Sequence, residues 1–267
     1  MIKRAILIAA GRGKRLGPHT EEIPKCMVDV AGKPILGWVW EALERVGVEE
    51  LVVIRGYRGD VLETFVRGLV PKAIFVDNHE WQTNNVLLSL ACARQYLDRP
   101  TYLTYSDIVF TPEVAQAAAS STAEIGLVID RAFRNIYVGR TEHPLDEGEV
   151  ADLNDDGSVA RVGKRALPAA EAVGEFIGLA RLGPRGVMLA SRALAQVIDS
   201  YEGREDQPFQ RAARYRNAYL TDLWQEMIES GVRIDPIMID GQWREIDTGQ
   251  DLDRARQLLE SAPKDWS

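Results

Sequence analysis

The segment Ala9-Ala10-Gly11-Arg12-Gly13-Lys14-Arg15-Leu16, followed by Pro24-Lys25, holds the residue types that bind polyphosphate. Two glycines let backbone N–H groups come close to an anion. Arg12, Lys14 and Arg15 can neutralise its charge, and Lys25 can return to the same place. Taken alone, the stretch favours an anion site over the other reading, a solvated basic turn. Two familiar glycine loops do not fit. The dinucleotide fingerprint G-x-G-x-x-G needs a glycine where Leu16 stands. The ATPase loop needs a hydroxyl residue where Arg15 stands and a glycine where Ile8 stands. This phosphate loop is of another kind.

The elements around the loop follow from hydrophobic patterning. Ala5–Ala9 is a continuous apolar run, as expected of a strand buried on both faces of a parallel sheet. Pro34 opens a helix with Ile35, Leu36, Val39, Leu43 and Val46 at helical spacing, stopped at Gly47. Leu51–Ile54 is a second strand, 61–66 a short helix, Ala73–Val76 a third strand and Thr101–Tyr105 a fourth. Val86, Leu90, Ala93 and Leu97 mark one helix face, and Thr111-Pro112-Glu113 starts another helix. In the middle, Asn154–Gly157 reads as the turn of a β-hairpin between 149–153 and 158–162, followed by a strand at Gly174–Leu182. Leu220–Ile228 and the segment after Thr248-Gly249-Gln250-Asp251 are helical, the latter opened by a capping box. The expected fold is α/β: a Rossmann-like open mixed, mainly parallel sheet flanked by helices, with an insertion that contains the hairpin.

Composition narrows the function classes. At 267 residues, 46% hydrophobic and 27% charged, the chain is an ordinary globular protein, expected to form a single domain. The net charge of −8 argues against nucleic acid or an anionic membrane as partner. Yet the first 25 residues hold six basic and two acidic side chains, so a basic anion site is set in an acidic protein. Cys26 and Cys92 match neither a disulfide framework nor a zinc spacing and read as small buried hydrophobes. Lys3-Arg4 and the apolar run look superficially like a secretory signal, but the run is short and meets Arg12, Lys14 and Arg15. No stretch approaches the roughly 20 apolar residues of a membrane span. The expected location is the cytoplasm. Trp38-Val39-Trp40 fits either core or the interface of a homodimer.

Gly11-x-Gly13-x-Arg15-Leu16 with Pro24-Lys25 resembles the signature of nucleotidyltransferases that join a nucleoside triphosphate to a sugar phosphate or phosphoalcohol. Lys14 departs from the threonine or serine of many members and leaves both glycines in place. Asp107, Tyr219-Leu220-Thr221-Asp222, and Glu245-Ile246-Asp247-Thr248 with Asp251-Leu252 continue the likeness in order over nearly the whole chain. Glu80-Trp81, Asn84-Asn85, Ser89-Leu90 and Gly174-Glu175-Phe176-Ile177-Gly178 make it most similar to the phosphocholine cytidylyltransferase branch, which includes enzymes for aminophosphonates.

The resemblance implies a magnesium-dependent enzyme that transfers CMP from CTP to a small phosphorylated or phosphonate acceptor, releasing pyrophosphate. It divides the single domain into a nucleotide-binding half (1–130), an acceptor-binding half (131–247) and a C-terminal helix (248–267). Arg15 and Lys25 would be catalytic. Gly11, Arg12 and Gly13 would hold phosphates, with the base against Ala9, Ala10, Asn84 and Ser89. Asp107 and Asp247, with Glu245 as a third, would be the Mg2+ carboxylates, and Lys164 and Glu175 would face the acceptor. Local sequence leaves other readings open: a turn or cap for Asp107, a helix cap for Asn84 or Asn85, an exposed strand charge for Lys164. A choline acceptor would draw on Tyr105, Trp81, Trp224 and Trp243, although Trp224 sits on an apolar helix face. A sugar-1-phosphate nucleotidylyltransferase using UTP, dTTP, GTP or ATP, and a non-catalytic nucleotide-binding module, are the alternatives.

Overall fold

The computed structural model describes residues 1–261 and Trp266. Its first strand, β1 (Arg4–Ala9), carries the continuous apolar run, and its alternate side chains enter opposite sides of the sheet. Ala5, Leu7 and Ala9 join one core; Ile6 and Ile8, with Ala10 just beyond the strand, join the other. The chain then makes 3-10 turns at Lys14–Thr20 and Lys25–Met27, a small ribbon of β2 (Asp29–Val30) and β3 (Lys33–Pro34), and helix α1 (Ile35–Arg45). β4 (Glu50–Arg55), α2 (Gly59–Leu69), β5 (Ile74–Asp77), α3 (Val86–Cys92) and β6 (Thr101–Tyr105) complete the alternating half. After Asp107 come β7 (Ile108–Phe110), α4 (Pro112–Ser120), β8 (Ile125–Asp130) and the short α5 (Arg134–Tyr137). The hairpin strands β9 (Glu149–Leu153) and β10 (Val159–Lys164) lead to β11 (Gly174–Leu182) and α6 (Pro184–Tyr201). The last elements are α7 (Leu220–Glu229), β12 (Asp235–Ile239), β13 (Trp243–Glu245) and α8 (Gly249–Ser261).

The main sheet runs β10-β9-β11-β6-β1-β4-β5, with β8 paired to β11 and β12 to β8. β5, β4, β1 and β6 are mutually parallel, and only β10 and β11 oppose the other strands. This is the expected mixed, mainly parallel sheet. α1, α2 and α4 cover one face, whereas α3, α6 and α7 cover the other.

Several boundaries differ from the sequence reading. α2 runs from Gly59 to Leu69, two residues before 61 and three beyond 66. The face read through Leu97 breaks at Ala93 into a 3-10 turn, because the helical hydrogen bonding ends with Cys92. Sequence reading passed over β7, β8, β12, β13 and α6. β8 was signalled by its apolar run, and α6 by Pro184 followed by Val187, Ala190, Leu194 and Val197. β7 and β13 have three residues each, too few for any period to show. The C-terminal helix is described from Gly249 to Ser261; residues 262–265 and 267 of its expected continuation lie outside the described residues, and Trp266 is buried and not helical.

Val39 and Trp40 of the apolar triplet are buried in the core, and the Trp38 indole donates to Val30 O at 3.0 Å. Trp224 is fully buried, as its helical spacing suggested. Cys26 is buried, Cys92 is half-buried, and both are free thiols. No helix among the described residues is long and apolar enough to cross a membrane.

Candidate active site

The carboxyl ends of β1 and β6 deliver the glycine loop and Asp107 to the same edge of the sheet, where open α/β folds bind ligands. A second device brings in the end of the chain. β13 pairs antiparallel with β7, placing Glu245 opposite Ile108, and Ile246 N donates to Asp107 O at 2.8 Å. Asp247 therefore arrives beside Asp107. Its position is fixed further by Asp251, whose Oδ2 accepts the N–H groups of Asp247 and Thr248 at 3.1 and 3.0 Å. Asp251 N donates to Thr248 Oγ1 at 3.2 Å, so the expected capping box is formed.

Lys25 lies between the two aspartates. Its Nζ is 2.9 Å from Asp107 Oδ2 and also pairs with Asp247 Oδ1. Burial alone would lower the Lys25 pKa, but the charges of Asp107 and Asp247 outweigh it and hold the ammonium above its usual value. Arg15 reaches the other oxygen of Asp247 at 2.5 Å. Burial opposes ionisation of Asp247, yet Lys25, His143 and Arg15 keep its carboxyl well below the usual range. Glu245 goes the other way: burial and the neighbouring Asp247 raise it, against the pull of His143 and Arg140.

Sequence reading passed over two members of this cluster. Arg140 grips Asp251 with Nε and an Nη at 2.6 and 3.0 Å and reaches Glu245 at 2.9 Å. His143 is 1% exposed, with Nδ1 3.2 Å from Asp247 Oδ2 and 3.5 Å from Glu245 Oε2. Both its ring nitrogens lack a well-formed hydrogen bond. Ligating atoms of His143, Glu245 and Asp247 all lie within 4.8 Å of one another. Asp107 Oδ1 is buried and without a partner. Carboxylates converging on one cation, with an unused buried oxygen, fit a hard divalent ion such as Mg2+.

Around the loop, Gly13 is in the left-handed region at φ 73, and Arg12 lies over the Tyr57 ring at 5.4 Å. Ala10 O accepts from Tyr57 N at 2.9 Å. Asn84 and Ser89 are joined by a residue that sequence reading missed: the buried Asn78 donates to Asn84 Oδ1 at 2.8 Å and to Ser89 Oγ at 2.9 Å. Asn84 returns a bond to Asn78 Oδ1 at 3.1 Å, so both ends of its amide are engaged. Asn84 is not a helix cap; Asn85 takes the N-cap position of α3, but its side chain makes no capping bond and donates to Asn217 O at 2.9 Å.

A cavity of about 210 Å³ opens on the cluster, lined in part by Arg15, Asp107, Glu245 and Asp247. Its far wall carries Tyr105, Lys164, Glu175 and Glu149, the last unmarked in the sequence reading, while Asn85 and Val86 line it rather than Asn84 and Ser89. Lys164 is three-quarters buried, 3.4 Å from Glu147 and 4.7 Å above the Tyr219 ring. It also borders a second hollow of about 620 Å³ with Arg165 and Arg211. Trp243 lines the first cavity with its indole N–H on Asp130 at 2.8 Å, whereas Trp81 packs on Tyr57 away from it.

A glycine loop, a buried lysine and two convergent aspartates at the carboxyl edge of such a sheet define a nucleotidyltransferase, and the chain belongs to the MobA-like NTP transferase domain family, whose model matches residues 5–207. It is 29% identical over 255 residues to CTP:phosphoglutamine cytidylyltransferase of Campylobacter jejuni, covering 93% of this chain and 97% of that protein. It is 30% identical over 161 residues to 2-aminoethylphosphonate cytidylyltransferase of Lancefieldella rimae, 60% of either chain. Among solved structures, the inositol-1-phosphate CTP transferase of T. maritima superposes with a TM-score of 0.74 over 97% of this chain and 95% of that one. At 20% identity, that likeness speaks for the fold alone.

Proposed function

We propose that the protein transfers CMP from CTP to a small phosphorylated or phosphonate acceptor, with release of pyrophosphate. The observation that carries this reading is the meeting of Arg15, Lys25, Asp107 and Asp247 at one point beside the glycine loop. The names of the cytidylyltransferase relatives support CTP as donor.

An oxygen of the acceptor attacks the α-phosphorus, and the bond between the α-phosphorus and its bridging oxygen breaks as pyrophosphate leaves with the electron pair. Phosphate and phosphonate groups are ionised near neutral pH, so no strong base is required. The barrier lies in bringing two anions together. In this reading Gly11, Arg12 and Gly13 hold the β- and γ-phosphates, with Arg15 beside them. Lys25 meets the charge that develops on the α-phosphate. Ala9 and Ala10 carry the base, and Asn78 fixes Asn84 and Ser89 behind it. Lys164 and Glu175 face the acceptor, which makes 1–130 the nucleotide half of one domain and 131–247 the acceptor half. Asp107 and Asp247, with Glu245, would hold Mg2+, which supplies Lewis-acid charge neutralisation at the phosphates when bound.

The test is pyrophosphate release with Mg2+, using CTP, UTP, GTP, ATP and dTTP against phosphocholine, 2-aminoethylphosphonate and sugar 1-phosphates. Turnover with CTP and a small phospho-acceptor is expected. Asp107→Asn should lower it at least about a hundredfold while the protein still melts cooperatively. Turnover of a sugar 1-phosphate with another triphosphate would overturn the donor and acceptor assignment. CTP binding without pyrophosphate from any acceptor would favour a nucleotide-binding module.

A further inference from the structure

Arg12 has no acid to hold it. Among the described residues it is in no salt bridge, unlike Arg15, which reaches Asp247. Its Nε is buried without a hydrogen-bond partner, and its guanidinium lies over the ring of Tyr57, 5.4 Å from the centre. Tyr57 stands in the turn between β4 and α2. The parallel pairing of β1 with β4, which sets Ala9 opposite Arg55, brings that turn alongside the glycine loop. There Tyr57 touches the start, the middle and the end of the loop. Its N–H donates to Ala10 O at 2.9 Å, its ring carries Arg12, and its hydroxyl donates to Glu21 O just past the 3-10 turn.

The surroundings fix the ring in this place. Trp81 meets it edge on, with ring centres 5.3 Å apart and an interplanar angle of 61°. A Cβ on Gly56 would stand 2.7 Å from Ala10 O and 2.6 Å from Trp81 Cβ, so the bare backbone at 56 lets the turn press against both. Arg58 also approaches the ring, at 5.9 Å, but it is paired with Glu22 at 2.8 Å. Arg12 is therefore the cation at this ring whose charge is left for a ligand.

We propose that Tyr57 is a positioning residue for the triphosphate: its ring holds the Arg12 guanidinium ready for the β- and γ-phosphates, while its N–H and hydroxyl brace the two ends of the loop. This rests on the reading of the loop as the phosphate site of a CMP transferase. An aromatic face attracts a guanidinium without neutralising it. A carboxylate in the same place would compete with the phosphates for it. An arginine already held in position has also given up rotamer freedom that it would otherwise lose on binding, so the anion is met with less opposing entropy.

The experiment measures the binding of CTP, CMP and inorganic pyrophosphate by calorimetry to the wild type, Tyr57→Leu, Tyr57→Phe and Arg12→Ala. Tyr57→Leu should weaken CTP and pyrophosphate about tenfold and leave CMP, which lacks the β- and γ-phosphates, unchanged. The unchanged CMP affinity shows that the variant is folded. Tyr57→Phe keeps the ring and should recover most of the loss. On an Arg12→Ala background Tyr57→Leu should cost nothing further, because both changes remove one contact. If Tyr57→Leu does not fold, Tyr57→Gln takes its place with the same losses expected. Unchanged CTP and pyrophosphate affinity in Tyr57→Leu overturns the positioning role and leaves CMP transfer standing. Equal losses of CTP and CMP, a Tyr57→Phe as weak as Tyr57→Leu, or a full effect of Tyr57→Leu without Arg12 do the same. A wild type that binds neither CTP nor pyrophosphate overturns both.

Discussion

The side chain of Lys25 lies across the α-carbon of Gly13. A Cβ built on Gly13 would stand 2.8 Å from both Cβ and Cδ of Lys25. Gly13 therefore makes room for the lysine stem, and its φ of 73 is one that L side chains rarely adopt. Gly11, two residues earlier, has neither constraint: a Cβ there meets nothing within 4 Å.

This contrast separates the two glycines experimentally. Gly13→Ala should cost about 1–3 kcal/mol of stability and displace Lys25, lowering turnover at least about tenfold. Gly11→Ala should keep its stability. Urea denaturation of both variants checks the pair, and equal midpoints would show that Lys25 moves aside without cost.

Lys25→Ala removes the cation between two carboxylates. Turnover should fall about a hundredfold, on the order of 3 kcal/mol in the barrier. Stability should fall as well, because Asp107 and Asp247 are left facing one another. Added Mg2+ should then raise the melting temperature of the variant more than that of the wild type. A variant whose melting ignores Mg2+ would count against those aspartates as the metal carboxylates.

Arg140 is buried with two acids on its guanidinium. Arg140→Met leaves Asp251 and Glu245 without their cation, at a cost of about 3–5 kcal/mol. Asp251 also anchors the N–H groups of Asp247 and Thr248, so kcat should drop along with the denaturation midpoint. A stable variant with normal kcat would mean that α8 holds Asp247 unaided.

Glu149 and Glu175 make a signed prediction for pH. Both fold with carboxyls raised from the ordinary 4.5 to about 8, so the folded protein retains protons that the unfolded chain releases. Their contribution to stability is full below pH 4.5 and is lost as the pH rises through about 8. The wild-type melting temperature should decline across that window, and a Glu149→Gln, Glu175→Gln double variant should flatten the decline. Parallel curves for the two proteins would show that the acids are solvated.

Much of this molecule is written locally in the chain. The run from Ala5 to Ala9 specified a strand buried on both sides, because only such a strand hides consecutive apolar residues, and its alternate side chains do enter two cores. The glycine loop, the β9–β10 hairpin and the capping box of α8 were likewise legible, since each depends on neighbours a few residues apart. The partners were not. Lys25 and Asp247 are 222 residues apart, and Arg15 and Asp247 are 232 apart. Their meeting depends on strand order and on the three-residue pairing of β7 with β13, which leaves no period in the sequence. Asn78, Arg140, His143 and Glu149 carried no local mark for the same reason. A buried polar residue looks like any surface one until the fold supplies its partners, and the tertiary structure alone decided that Arg140, His143 and Glu149 stand around the cluster and its cavity and that Asn78 ties Asn84 to Ser89.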